Sequence, residues 1–153
     1  MIRIAEPKDY IELANIRWEH KAEDDIVYGE NNVADAEKEG FIQDFVNFLY
    51  HDSTYQIYIL EMDNRIISQI YVQLIRKVPK PNKKESYIAY LTNAHTINGY
   101  RSKGYGTQLL EEIIRDLKKT SCEMAFLWPS EKSVNWYHRN NFKNDNEMVV
   151  IEI

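Results

Sequence analysis

Apolar residues along the chain switch between two periods. From Lys8 to Lys21, Tyr10, Leu13, Ala14 and Trp18 recur at helical spacing behind Pro7, a residue suited to a first helical turn. A second helix is expected from about Asp35 to Tyr50, with Phe41, Ile42, Phe45, Val46 and Leu49 on one face. Two runs rich in Ile, Tyr and Val, Thr54 to Glu61 and Arg65 to Val78, flank Met62-Asp63-Asn64 and predict a β-hairpin. Two prolines and a positive run between Val78 and Lys84 break the pattern as a solvated loop, and Tyr87 to Thr96 resumes as a strand. After Gly106 the period returns to helical: Leu109, Leu110, Ile113, Ile114 and Leu117 form a stripe ending at Lys118-Lys119, cations that suit a helix C-terminus. Cys122 to Trp128 reads as a strand, Ser130 to about Asn140 as a short helix with Ser130 at its N-cap, and Met148 to Ile153 as a closing strand. With Met1 to Ala5 as an opening strand, the order is β-α-α-β-β-β-α-β-α-β, an α/β domain whose one strand-helix-strand crossover spans Tyr87 to Trp128.

Composition narrows what such a domain can do. The 153 residues fit a single domain (1–153), and 44% hydrophobic content supplies a continuous core. A net charge of −5 disfavours nonspecific nucleic-acid binding. There is no run of about 18 apolar residues and no apolar leader at the start, so a cytoplasmic protein without membrane contact is expected. The single cysteine, Cys122, excludes an internal disulfide and a cysteine cage for a metal; it sits in an apolar strand-like run, and no metal site is expected.

The crossover carries the strongest chemical signal. Asn98 to Thr107 contains glycines at 99, 104 and 106, together with Arg101 and Lys103, directly before a helix. Glycines let a backbone close around a ligand, while the helix N-terminus and the two cations favour an anion such as a pyrophosphate. An ordinary glycine turn is the plain alternative. No Gly-Lys-Ser/Thr ending is present, which removes the P-loop reading, and Leu109 stands where a dinucleotide fingerprint needs its third glycine.

Arg101-Ser102-Lys103-Gly104-Tyr105-Gly106 resembles the Arg/Gln-x-x-Gly-x-Gly/Ala signature of the GNAT superfamily of N-acetyltransferases, with Tyr90 to Thr96 before it and Leu109-Leu110 after it in keeping. Asn98 departs from a common proline. Trp136-Tyr137-His138-Arg139-Asn140-Asn141-Phe142 resembles the second signature of that family, with Asn141 where glycine is usual; asparagine tolerates the left-handed conformation that position requires. The resemblance implies a mixed, mostly antiparallel central sheet flanked by helices, with acetyl-CoA as cosubstrate. It implies that the backbone of Ala94, His95 and Thr96 pairs with the pantetheine arm, that Arg101, Ser102, Lys103, Gly104, Tyr105, Gly106 and Thr107 wrap the pyrophosphate, and that Ser130 touches the cofactor.

By the same resemblance Tyr137 is the candidate general acid: a phenol of reference pKa about 10 stays protonated at neutral pH and can donate to a departing thiolate. A packed aromatic at a helix end is its bland alternative. No carboxylate lies between Tyr87 and Thr96, so His95 is the candidate base, with ordered water as its competitor; simple strand alternation places it on one face with Asn93, Leu91 and Ala89. Glu19, Glu23, Asp24, Asp25, Glu30, Asp35, Glu37 and Glu39 crowd the segment expected over the acceptor pocket, where a negative mouth would draw a cationic small-molecule amine. A solvated charged face has equal standing. Trp18, His20 and Tyr28 are candidates for the pocket wall. Acetylation of a protein N-terminus or lysine and a noncatalytic acyl-CoA sensor remain open, as does a homodimer.

Overall fold

The computed structural model describes residues 1–28, 35–144 and 148–153. Five strands, β1 (Ile2–Ile4), β2 (Tyr55–Met62), β3 (Arg65–Arg76), β4 (Tyr87–Thr96) and β5 (Cys122–Phe126), form one sheet in sequence order. The helices are α1 (Tyr10–Tyr28), α2 (Lys38–His51), α3 (Tyr105–Leu117) and α4 (Val134–Arg139), with 3-10 turns at Pro7–Asp9 and Asp35–Glu37. All neighbouring pairs are antiparallel except β4 with β5, which are parallel across the expected crossover. This is the mixed, mostly antiparallel sheet flanked by helices. Among the described residues, no helix is long and apolar enough to cross a membrane.

The elements follow from local chemistry. Asp63 and Asn64, at φ of 51° and 58°, turn the β2–β3 hairpin, a conformation those two residue types tolerate best outside glycine. The expected stripe of α3 is the buried one, with Leu109, Leu110, Ile113 and Leu117 at 7% exposure or less against the interior strands. Leu13, Ala14 and Ile16 of α1 close the opposite face. α1 is tied down at both ends, near its start by Glu12, whose carboxylate accepts the Ile66 N–H at 2.8 Å, and near its end by an ion pair between Glu23 and Arg101.

Two expectations change. α1 runs seven residues past Lys21, so the acidic run at 23–25 is helical, not loop. The closing segment is no strand: Met148, Val149, Val150, Ile151 and Ile153 are exposed, and β5 takes no partner from it. The alternation of that segment is compatible with a strand, but a strand forms only where a ladder receives it.

Candidate active site

β4 and β5 part company halfway. They pair only from Tyr87 to Tyr90, opposite Cys122 to Phe126, and β4 then continues to Thr96 without β5. Three aromatic rings stand at the fork: Tyr90 stacks on Phe126 at 5.3 Å between centroids, and Trp128 meets both edge-on at 5.2 and 5.5 Å. Beyond them opens a cleft of about 980 Å³ lined by β4, the loop before α3, and α4. Ala94, His95, Thr96, Arg101, Ser102, Gly104, Tyr105, Gly106, Thr107, Ser130 and Tyr137 all line it. Sequence reasoning named every one of them.

The loop has the shape that its glycines allow. Gly99 and Gly104 both sit at φ 83°, and Ser102 at 62°. Gly104 is the N-cap of α3, and the first intrahelical bond runs from the Gln108 N–H to the Gly104 carbonyl at 3.0 Å, leaving the amides of Tyr105, Gly106 and Thr107 for a ligand. Arg101 donates from Nε to the Thr96 carbonyl at 2.8 Å and also reaches Glu23. Lys103 lies off the cleft. Its ammonium folds back to the Gly99 carbonyl at 2.8 Å and over the Tyr100 ring at 5.4 Å, so its side chain braces the loop.

α4 begins later than the sequence pattern predicts. Its N-cap is Ser133, and Ser130 instead donates to the Ser133 hydroxyl at 3.0 Å across a turn. Its end is fixed by a paired helix stop. The Phe142 N–H bonds the Tyr137 carbonyl at 3.1 Å and the Asn141 N–H bonds the His138 carbonyl at 3.1 Å, with Asn141 left-handed at φ 66° and the Phe142 ring 5.5 Å from that of Tyr137. The asparagine thus does the work expected of glycine there. Trp136 clamps the other side, its indole N–H donating to the Thr107 hydroxyl at 3.0 Å while its ring lies against Gly106. Tyr137, held by both contacts, is 7% exposed, and burial pushes its hydroxyl up to about 12.

His95 does not share a face with Leu91 and Ala89. Thr92 is opposite Tyr71 and His95 opposite Gln69, so β4 carries one more residue than β3 across this interval, and Asn93 absorbs it at φ 49°. Such a bulge reverses the alternation. His95 therefore faces α1, where its ring lies 4.1 Å from that of His20. Burial is the main cause that lowers both histidines, His95 to about 4, with the second ring and Arg101 adding to the effect on His95. Sequence reasoning missed Gln69, although Ser68-Gln69 interrupts an otherwise apolar run in β3.

Depressed histidines make a stability prediction. In the unfolded chain they gain protons as pH falls through about 6.5, whereas the folded site resists protonation until about 4 in the case of His95, so the folded state loses stability across that window. Asp24, with Oδ2 3.4 Å from His20 Nε2, opposes the shift, while Arg17 reinforces it. Denaturant unfolding at pH 7.5 and 4.5 should show His95→Gln losing about 1–2 kcal/mol less than wild type between the two conditions, an allowance reduced for the partial exposure of the site. An equal loss in both proteins would mean that His95 titrates normally.

The acidic segment is less bare than its composition implies. Asp25 is buried with its carboxylate on Lys21, Glu23 is neutralised by Arg101, and Asp24 sits against His20. Glu23 and Asp24 line the cleft, whereas Trp18 packs on Phe41 at 5.5 Å and joins α1 to α2. Glu30 and the side chains of Tyr28 and Asp35 lie outside the described residues. Among the described residues no His, Cys, Asp and Glu group could hold a metal ion.

Residues 12–142 match the profile of the acetyltransferase (GNAT) family. Solved structures share the fold. A predicted acetyltransferase from Clostridium acetobutylicum with acetyl-CoA superposes with a TM-score of 0.74 at 23% identity, over 99% of this chain and 95% of that one. A GCN5-related N-acetyltransferase from Ralstonia eutropha JMP134 gives 0.70 at 18% identity, over 99% and 97%. Glucosamine-6-phosphate N-acetyltransferase from Arabidopsis thaliana gives 0.65 at 16% identity, over 99% and 97%. No curated protein matches significantly.

Proposed function

The chain belongs to the acetyltransferase (GNAT) family, and from that premise we propose that it passes the acetyl group of acetyl-CoA to a primary amine by direct attack, with Tyr137 as general acid. One observation carries the reading: the edge of β4 from Leu91 to Thr96, unpaired by β5, leads straight to the uncapped amides of α3. A strand edge without a neighbour offers main-chain donors and acceptors to an extended amide-bearing arm, and a helix N-terminus with a left-handed glycine offers amides to phosphates. The residues present therefore fit acetyl-CoA, with Ala94, His95 and Thr96 along the arm and Arg101 to Thr107 at the phosphates. Bound there, acetyl-CoA supplies an acetyl group activated as a thioester, whose departing sulfur needs a proton.

Tyr137 holds that proton. A hydroxyl raised to about 12 stays protonated at every physiological pH, so none of the enzyme is lost to the wrong ionisation state. His95 is the residue we assign to the nitrogen. At a pKa of about 4 it cannot take a proton from a free alkylammonium near 10, a transfer uphill by about 8 kcal/mol. It acts instead by accepting a hydrogen bond from an amine that is already neutral, and by receiving the proton after the C–N bond has formed and the nitrogen has become acidic. A noncatalytic acyl-CoA sensor would leave Tyr137 free to turn from the cleft, whereas this tyrosine lines it between two aromatic contacts. The absence of a membrane-spanning helix among the described residues is compatible with work in the cytoplasm.

The test is amine-dependent release of thiol from acetyl-CoA, with mass spectrometry of the product. An amine heavier by one acetyl group supports the assignment; acetyl-CoA that neither stabilises the protein thermally nor reacts would sink it.

A further inference from the structure

Five buried side-chain polar atoms lack a hydrogen-bond partner among the described residues, and they cluster in one place: His20 Nδ1, Gln69 Nε2 and Oε1, Tyr71 Oη and Asn93 Oδ1. Gln69 pairs in register with His95, His95 stacks on His20, and Asn93 forms the bulge beside them, so the group occupies the face of β3 and β4 that α1 covers. Tyr71 closes it from behind, 3% exposed and 6.4 Å from the Phe45 ring of α2. Gln69 is fully buried, and with His20, Asn93 and His95 it lines the cleft.

Unpaired buried amides are costly, and a core gains nothing by keeping them. Leucine at position 69 would fill a fully buried position in β3 without that cost. A carboxamide with both of its ends unmatched is well matched by a substituent that both donates and accepts, such as a hydroxyl or another carboxamide. Of the carboxylates nearby, Glu23 is committed to Arg101 and Asp25 is buried on Lys21, while Asp24 lines the cleft beside His20. Gln69 itself, fully buried and uncharged, is the group suited to an uncharged substituent.

We infer that Gln69, Asn93 and His20 form an acceptor subsite for an uncharged hydroxyl or carboxamide carried next to the reactive amine, so that the substrates are amino alcohols or amino amides. This deepens the acetyltransferase reading and rests on it. The subsite lies on the α1 side of β4, while Thr96 on the other face approaches Gly106 of α3, so acceptor and cofactor would meet at the strand from opposite sides.

The test compares three amines of similar size, 2-aminoethanol and glycinamide against propylamine, by thiol release at equal concentrations of neutral amine. Wild type should favour the first two at least about 10-fold in kcat/KM, because a site built to hydrogen-bond a substituent rejects its absence. Gln69→Leu should erase most of that preference while leaving the KM for acetyl-CoA unchanged. The preferred member of the first pair tells a hydroxyl reader from a carboxamide reader. A second readout needs no turnover: Gln69→Leu, relieved of an unmatched amide, should unfold at a higher temperature than wild type. Equal or better use of propylamine, a preference that survives Gln69→Leu, no turnover of either polar amine, or a lowered melting temperature would each overturn the inference. Thermal stabilisation by acetyl-CoA, recorded in parallel, tells the two readings apart. If it persists while the amine preference fails, only the subsite is wrong; if it is missing, the acetyltransferase reading falls as well.

Discussion

Gly104→Asp should abolish thermal stabilisation by acetyl-CoA. Gly104 sits at φ 83°, where a side chain is strained, and a Cβ built there meets nothing within 4 Å, so the new carboxylate would project into open space at the mouth of α3. Left-handed backbone costs a non-glycine residue roughly 1–2 kcal/mol. The larger effect is electrostatic, since a carboxylate about 4 Å from a phosphate charge is repelled by about 4 kcal/mol at an effective dielectric of 20, or close to three orders of magnitude in affinity. Gly106→Asp should act similarly, because its Cβ would rest in ordinary contact 3.4 Å from the Trp136 ring and 3.6 Å from the Thr96 hydroxyl, and its carboxylate would add negative charge in the first turn of α3. Gly104→Asn separates charge from strain: it keeps a residue that tolerates the left-handed region, adds no charge, and should retain most of the binding. Unchanged stabilisation in both aspartate variants would remove this loop from cofactor recognition.

Tyr137→Phe should bind acetyl-CoA as wild type does and transfer acetyl about 10²-fold more slowly in a single turnover, the low end of what a positioned acid contributes, because a thiolate leaves tolerably without help. Packing should survive, since the ring contacts to Trp136 and Phe142 need no hydroxyl and the stop that fixes the helix end uses backbone atoms alone. Single-turnover rates are required because a slow product release would hide the loss in steady state. A Tyr137→Phe protein that transfers acetyl at the wild-type rate would assign the proton to water and leave the tyrosine as packing.

The parts of this site that are main chain could be read from sequence, because the residue types that permit a backbone shape are few. Glycines at 99 and 104 announce the left-handed loop, Asn141 announces the helix stop, and the Leu109 to Leu117 stripe announces which face α3 buries. Side-chain direction could not be read where one backbone residue changes the count. Asn93 in β4 looks like any strand residue, yet its left-handed φ turns His95 from the face of Leu91 to the face of α1, and the His20–His95 stack depends on that. Charge counts carry no information on pairing, for a related reason. Glu23, Asp24 and Asp25 look like an open negative mouth in sequence, but a longer α1 delivers each to a partner. The closing segment at 148–153 shows the limit of periodicity itself, which records a preference for a strand and not the presence of a neighbour to pair with.

One guanidinium serves two neighbourhoods. Arg101 belongs to the loop before α3, but it bonds the end of β4 through the Thr96 carbonyl and the last turns of α1 through Glu23. An anion that shares Arg101 with Glu23 or draws it away changes that ion pair, and a ligand that engages Glu23 in turn changes how the loop holds the anion. Free energies of this kind are reciprocal, so each ligand changes the affinity of the other by the same factor. Where both groups are engaged by ligands, a dissociation constant for one becomes one point on a surface, defined only when the concentration of its companion is stated.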